Sequence, residues 1–343
     1  MATAQQASLD VYVLPGNSSR QIDAPYYLLD DGSSGNEGPR RSIVGNFSGT
    51  EGYRDIAAFT QSAQGTARLW LLPTGDDASI EPVSAKPTSP RPAALPMELQ
   101  AATDALLGNL GPRTGATVDE IVIAAGPSTS STSTNGLTLL TTTTATGNAF
   151  DTPPDPEHLD GFSITEGAAI TGQMITARVL GKDRPDVVLA SASDGLAVVP
   201  WDPVTGKLDV KGVKQLALKA LKDLRCDADD LPVGGPSVIG LAALRLDDSG
   251  KQALVVSLPS GTHLVTWDGS ALVPTCMQTT SRDADGDAYN IGAGFAVTTG
   301  DFDGDGIDDV IVGQRTGLVV YYGAAVKPGD GPAAVAASNG GAQ

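Results

Sequence analysis

Apolar residues in this chain gather in short β-branched runs, each placed directly behind a polar turn. The stretch "GDFDGDGIDDVIVG" at 300–313 shows the arrangement most plainly. Weaker versions are "GNFSGTEGYRDIAAF" at 45–59, "GNLGPRTGATVDEIVIAAG" at 108–126, "ARVLGKDRPDVVLAS" at 177–191 and "LRLDDSGKQALVVSL" at 244–258. The residues heading the runs are Asp55, Glu120, Asp186, Ala253 and Asp309, at near-equal spacing. After each run and a short turn comes a second apolar stretch: "RLWLLP" (68–73), "GLTLLT" (136–141), "GLAVVPW" (195–201), "THLVTW" (262–267) and "GLVVYYG" (317–323). An alternating stretch such as "GFAVTTGD" (294–301) precedes the turn. Each unit therefore predicts three short antiparallel strands joined by tight turns. A sheet this small does not bury both faces alone, but radially stacked copies do. The expectation is an all-β protein, a β-propeller over 1–323, with a disordered tail over 324–343.

Five units predict five blades. "DVYVLPG" at 10–16 matches the third-strand stretches with no turn motif ahead of it, as a strand completing the last blade's sheet would. If it belongs to a separate truncated blade, the count is six. Between units, "KQLALKALKDLR" (214–225) places Ala217, Leu218, Leu221 and Leu224 on one helical face and predicts a short amphipathic helix packed on a blade. The Ser/Thr-rich start of 126–148 reads as a hairpin tip.

Composition agrees with a turn-rich β protein: 41 Gly and 23 Pro in 343 residues. A net charge of −18 repels phosphate backbones and anionic lipids, which argues against nucleic acid as a partner. No apolar stretch approaches the length of a membrane span, so direct insertion is not expected. The start, "MATAQQASLD", has neither a basic nor an apolar leader region.

Five aspartates between 301 and 309 would repel one another and raise one another's pKa. A hard divalent cation resolves the conflict. Calcium takes six to eight oxygen ligands, and odd-numbered spacing on a tight loop lets alternate side chains converge. The predicted ligands are Asp301, Asp303, Asp305, the backbone carbonyl of Ile307, and Asp309, with Gly304 and Gly306 permitting the turn. Asp308 is expected to face water. Magnesium suits the loop less, because it demands a stricter octahedron. An EF-hand is excluded: its twelfth loop position carries a bidentate Glu, and here that position is Val312, in a strand.

"GDFDGDGIDDVIVG" with "GLVVYYG" downstream resembles the FG-GAP (VCBS) repeat that builds the β-propellers of integrin α-subunits and of many bacterial surface proteins. The last unit matches closely, and the degenerate units extend the resemblance over about 10–323. The resemblance implies that Asp301, Asp303, Asp305 and Asp309 are calcium ligands. It also implies a non-catalytic binding scaffold whose metal sites rigidify hairpins, in an extracellular, periplasmic or cell-surface setting.

The other units depart from the pattern. At 177–191 the acidic ligand positions hold Arg178, Leu180 and Lys182, with Asp186 kept; at 244–258 Arg245 stands first and Ala253 last. No calcium is expected there, a fixed cationic side chain replacing the ion. Asn46, Ser48, Glu51 and Asp55 form a weaker candidate cation site, and Asp283, Asp285 and Asp287 a partial loop or a solvated turn. Cys226 and Cys276 flank the fourth unit; an even count in an extracellular-type repeat favours a disulfide over two buried thiols.

No nucleophile elbow, phosphate loop or zinc-protease motif occurs, and the two histidines, His158 and His263, lie far apart in sequence. Trp70, Trp201 and Trp267 all fall in third-strand stretches, which suits blade packing more than sugar stacking. The expected function is a calcium-stabilised scaffold that binds a protein partner. The alternatives are a glycan-binding propeller and, less supported, a propeller hydrolase or lyase.

Overall fold

The computed structural model describes residues 11–13, 26–29, 38–47, 55–61, 67–72, 105–126, 136–145, 149–151, 156–166, 169–170, 172–224, 240–247, 249–258, 261–277, 280–282, 288–290, 294–314, 317–323 and 336–338. Their regular structure is almost entirely antiparallel sheet. The chain divides into two compact units, 1–161 with 203–207, and 162–202 with 208–343.

In the first unit, β1 (Val11–Val13) pairs with β2 (Tyr26–Leu29). The first larger sheet runs β3 (Gly38–Gly45), β4 (Asp55–Gln61), β5 (Ala67–Leu72). The second holds β6 (Ala105–Pro112), β7 (Asp119–Ala125), β8 (Gly136–Ala145), β9 (Ala149–Asp151) and β10 (Glu157–Asp160), in the order β10-β8-β7-β6 with β9 also on β8. Phe47, Phe59, Leu69, Ile121, Ile123 and Leu140 form one buried core from both sheets.

In the second unit, the pair β11 (Thr165–Glu166) and β12 (Ala169–Ile170) precedes the third sheet. That sheet comprises β13 (Gly172–Ala177), β14 (Asp186–Ser191), β15 (Gly195–Asp202), β16 (Lys207–Leu208) and β17 (Lys214–Ala217), followed by helix α1 (Leu218–Asp223). The fourth runs β18 (Gly240–Arg245), β19 (Gln252–Leu258), β20 (Gly261–Trp267), β21 (Leu272–Cys276). The pair β22 (Thr280–Arg282) and β23 (Ala288–Asn290) leads to the fifth: β24 (Gly294–Gly300), β25 (Asp309–Gln314), β26 (Gly317–Tyr322), β27 (Ala336–Ser338).

Middle strands carry the β-branched runs because they are covered on both faces. β7 and β14 are buried along their whole length. Each buried Val, Leu or Ile stabilises by about 1.5–3 kcal/mol, so a continuous apolar run pins the strand at the sheet centre. Val188, Leu196, Leu241, Leu254 and Val256 join the third and fourth sheets in one core. Leu244, Val255, Val310, Val312 and Tyr321 join the fourth and fifth.

Three expectations change. The N-terminal strand β1 pairs with β2, and does not extend the last sheet. The fourth strand of that sheet is β27, three residues from the segment read as a tail. The expected helix over 214–225 is half strand: β17 pairs antiparallel with β15, Leu216 buried and its neighbours outward, and α1 begins only at Leu218. The cause lies across the sheet at Gly195 (φ +101°). A Cβ there would stand 2.2 Å from the Leu216 carbonyl oxygen and 2.4 Å from the Leu218 nitrogen. The bare glycine lets β17 dock and turn into the helix, whose Leu218 and Leu221 then bury as expected.

Candidate metal centre

The loop 301–308 is closed by the Gly300–Asp309 register pair between β24 and β25. Gly304 (φ +87°) and Gly306 (φ +89°) take the left-handed conformation foreseen for them. Aspartate side chains then fold the loop onto itself. Asp301 accepts the Gly304 N–H at Oδ1 (2.7 Å) and the Gly306 N–H at Oδ2 (2.9 Å). Asp303 accepts the Asp305 N–H at Oδ1 (3.1 Å), and Asp305 the Ile307 N–H at Oδ1 (2.8 Å). Asp309 is fully buried, with Oδ2 taking the Phe302 N–H and Oδ1 the Gly323 N–H, each at 2.8 Å.

Carboxylate oxygens of Asp301, Asp303 and Asp309 lie within 4.8 Å of one another. Oxygens on a calcium coordination shell, about 2.3–2.6 Å in radius, stand at most about 5 Å apart, so the three fit one shell. Asp301 and Asp303 are exposed and reach the site from water, while Asp309 forms its floor. Asp305 is outside this group; it stays exposed and holds the turn at Ile307, itself half-buried. Asp308 does not face water as expected: it accepts from Arg245 of the fourth sheet, both from the backbone N–H (2.8 Å) and from the guanidinium (3.3 Å).

The equivalent acids of two other sheets share the job of Asp309. Asp55, fully buried, accepts the Phe47 N–H at Oδ2 (2.9 Å). Asp186, fully buried, accepts Val179 N–H (3.0 Å) and Leu180 N–H (2.8 Å) at Oδ2. Burial pushes the Asp186 carboxyl up to about 6; its two backbone N–H bonds, and then Arg184, pull the other way. The basic residue whose charge bears on it is Arg184, which stands outside the predicted ligand positions. Arg178 turns to the fourth sheet, donating its backbone N–H to Gln252 Oε1 (2.9 Å). Arg245 likewise serves the fifth sheet and not its own loop.

In the first sheet, Asn46 turns toward the second: its N–H donates to Asp119 Oδ2 (2.9 Å) and its Nδ2 to the Thr117 carbonyl (2.9 Å). Ser48 and Glu51 lie outside the described residues, as do Asp283, Asp285, Asp287 and Cys226. Cys276 ends β21, in register with His263.

His263 is fully buried, its Nε2 at 3.2 Å from the Leu224 carbonyl oxygen, and burial holds its pKa below the ordinary histidine value. His158 is exposed on β10, 3.5 Å from Thr138 Oγ1. Trp201 is buried. Trp267 is half-buried, with Lys214 Nζ 5.8 Å from its ring centre. In the second sheet Arg113 pairs with buried Glu120, whose Oε2 has no partner among the described residues. No helix among the described residues is long and apolar enough to cross a membrane.

No family model matches the chain, and no curated protein does. Among solved structures, an arginine-to-alanine triple mutant of AofleA from Arthrobotrys oligospora is similar at 14% identity, covering 88% of this chain and 74% of that one, with TM-score 0.42. An Agrocybe aegerita lectin, described as recognising non-reducing terminal N-acetylglucosamine, is similar at 12% identity, covering 92% and 85%, with TM-score 0.40. Likeness at this level fixes neither fold nor ligand.

Proposed function

We propose that the chain is a non-catalytic, calcium-stabilised β-propeller, with the five larger sheets as blades, that binds a protein or glycan partner outside the cell. The observation that carries the reading is the convergence of Asp301, Asp303 and Asp309 within one coordination shell. These residues would hold the ion, which would supply fixed positive charge and cross-link the loop to the start of β25. The propeller reading is supported by one antiparallel triple of strands recurring five times. The buried middle strands also require a neighbour on each face. A protein partner follows from the scaffold reading of the repeat. The glycan alternative has, among the residues whose burial is described, the partly accessible indole of Trp267 to stack a sugar ring.

Calorimetric titration of the full chain with calcium tests the metal reading, with Asp303→Asn as the control. Asp303 is exposed and accepts a single backbone N–H, so the fold tolerates the change. Wild type binds and the variant binds at least about tenfold more weakly, as loss of one charged ligand requires. No heat of binding in wild type would sink the reading. Glycan and protein arrays probed in calcium then separate the two ligand classes.

A further inference from the structure

One contact ties the carboxylate loop to the neighbouring sheet. Arg245, the last residue of β18, gives its backbone N–H to Asp308 Oδ2 (2.8 Å) and its Nη2 to Asp308 Oδ1 (3.3 Å). The same Nη2 donates to the Gly306 carbonyl oxygen (2.9 Å). The Gly306 residue is thus held from both sides: Asp301 takes its N–H, and Arg245 holds its carbonyl. Asp301 is also one of the three converging carboxylates.

The backbone half of this contact recurs. Asn46 gives its N–H to Asp119, and Arg178 gives its N–H to Gln252, each at 2.9 Å. Asp119, Gln252 and Asp308 each stand immediately before the residue that heads the apolar run: Glu120, Ala253 and Asp309. An acceptor at this position therefore latches the second, fourth and fifth sheets to the end of the preceding sheet's first strand. Asn46 and Arg245 each add a side-chain bond to a carbonyl of the neighbouring loop, Thr117 and Gly306 respectively, and the loop that Arg245 grips is the one that carries the converging carboxylates.

We propose that Arg245 is a positioning residue for cation binding: its grip on Gly306 and Asp308 holds the 301–309 loop in the form that brings Asp301, Asp303 and Asp309 together, so that binding at the loop and docking of the fourth sheet on the fifth reinforce each other. This rests on the calcium reading of the loop. The guanidinium charge acts in the opposite sense, since it repels a cation. It is half exposed and screened by solvent, so the positional effect is the larger. Arg245→Lys separates the two, because it keeps the charge and loses the planar fork.

The test is calcium calorimetry on the full chain for wild type, Arg245→Lys and Asp308→Asn, with amide exchange at Arg245 measured in calcium and in chelator. Both variants are expected to bind calcium roughly tenfold more weakly, the scale of a lost charge-assisted hydrogen bond. In wild type, calcium is expected to slow exchange of the Arg245 amide. If wild type binds and both variants match it, the inference is wrong and the calcium site stands. A lower melting temperature in chelator with unchanged calcium affinity also overturns it, since Arg245 would then be structural only. If wild type itself binds no calcium, the metal reading and this inference fall together.

Discussion

The loops of the third and fifth sheets begin from one plan and diverge. In both, a fully buried aspartate heads the middle strand and takes two backbone N–H groups: Asp186 from Val179 and Leu180 of its turn, Asp309 from Phe302 of its turn and from Gly323 after β26. The positions that differ are Arg178, half-buried Leu180 and Lys182 in one loop and the exposed Asp301, Asp303 and Asp305 in the other. The buried acid therefore works without an ion. On the calcium reading, cation chemistry belongs to the outer residues, and the third unit keeps its hairpin without them. Asp55 in the first sheet fits the same division of labour.

Removing the buried acid tests the shared part most severely. Asp186→Ala and Asp309→Ala each strip two backbone N–H groups of their acceptor, at about 1–3 kcal/mol per buried donor. Both variants should lose about 2–5 kcal/mol in urea denaturation carried out in chelator. If Asp309→Ala is destabilised only when calcium is present, Asp309 is a ligand first and the shared role is wrong.

The pH response separates the two loops next. Asp186 rises from 3.8 to about 6 on folding, through burial. A raised carboxyl pKa gives stability that is complete below the unfolded value and lost as pH climbs through the folded one. Wild type should therefore lose about 2 kcal/mol between roughly pH 4 and pH 6.5 relative to Asp186→Asn, which has no such proton to release. Parallel stability curves for the two proteins would show that the carboxyl is not held in its neutral form.

Much of this arrangement was legible in the sequence. The β-branched runs marked β4, β7, β14, β19 and β25 because strands covered on both faces need continuous apolar side chains. The positive φ of Gly304 and Gly306 followed from their place among the aspartates. Three things were hidden. Leu218 and Leu221 share a helical face, so the strand β17 was read as helix; its pairing with β15 needs the close approach that Gly195 permits, nineteen residues before Lys214. The partner of β1 depends on long-range pairing that its own residues do not encode. Asp308 and Asp309 are chemically alike but neighbours across the entry to a strand, where successive side chains point to opposite sides. One therefore faces its own loop and the other faces the fourth sheet.

The smallest expected effect isolates what the basic residues of the third loop contribute. Arg184 is exposed, yet it supplies the charge that draws Asp186 toward ionisation, after the two backbone bonds. An exposed charge acting through solvent is worth well under about 1 kcal/mol. Arg184→Ala should therefore leave stability at pH 4 unchanged and move the midpoint of the Asp186 transition slightly upward. The measurement is the difference between each protein's pH–stability curve and that of its Asp186→Asn counterpart. Arg178→Ala serves as the comparison, because the backbone N–H that Gln252 accepts survives the change. If Arg178→Ala moves the midpoint and Arg184→Ala does not, the cation that replaces the ion is the one at the ligand position after all. The third loop would then be a true substitution of guanidinium for metal and not a hairpin held by its backbone.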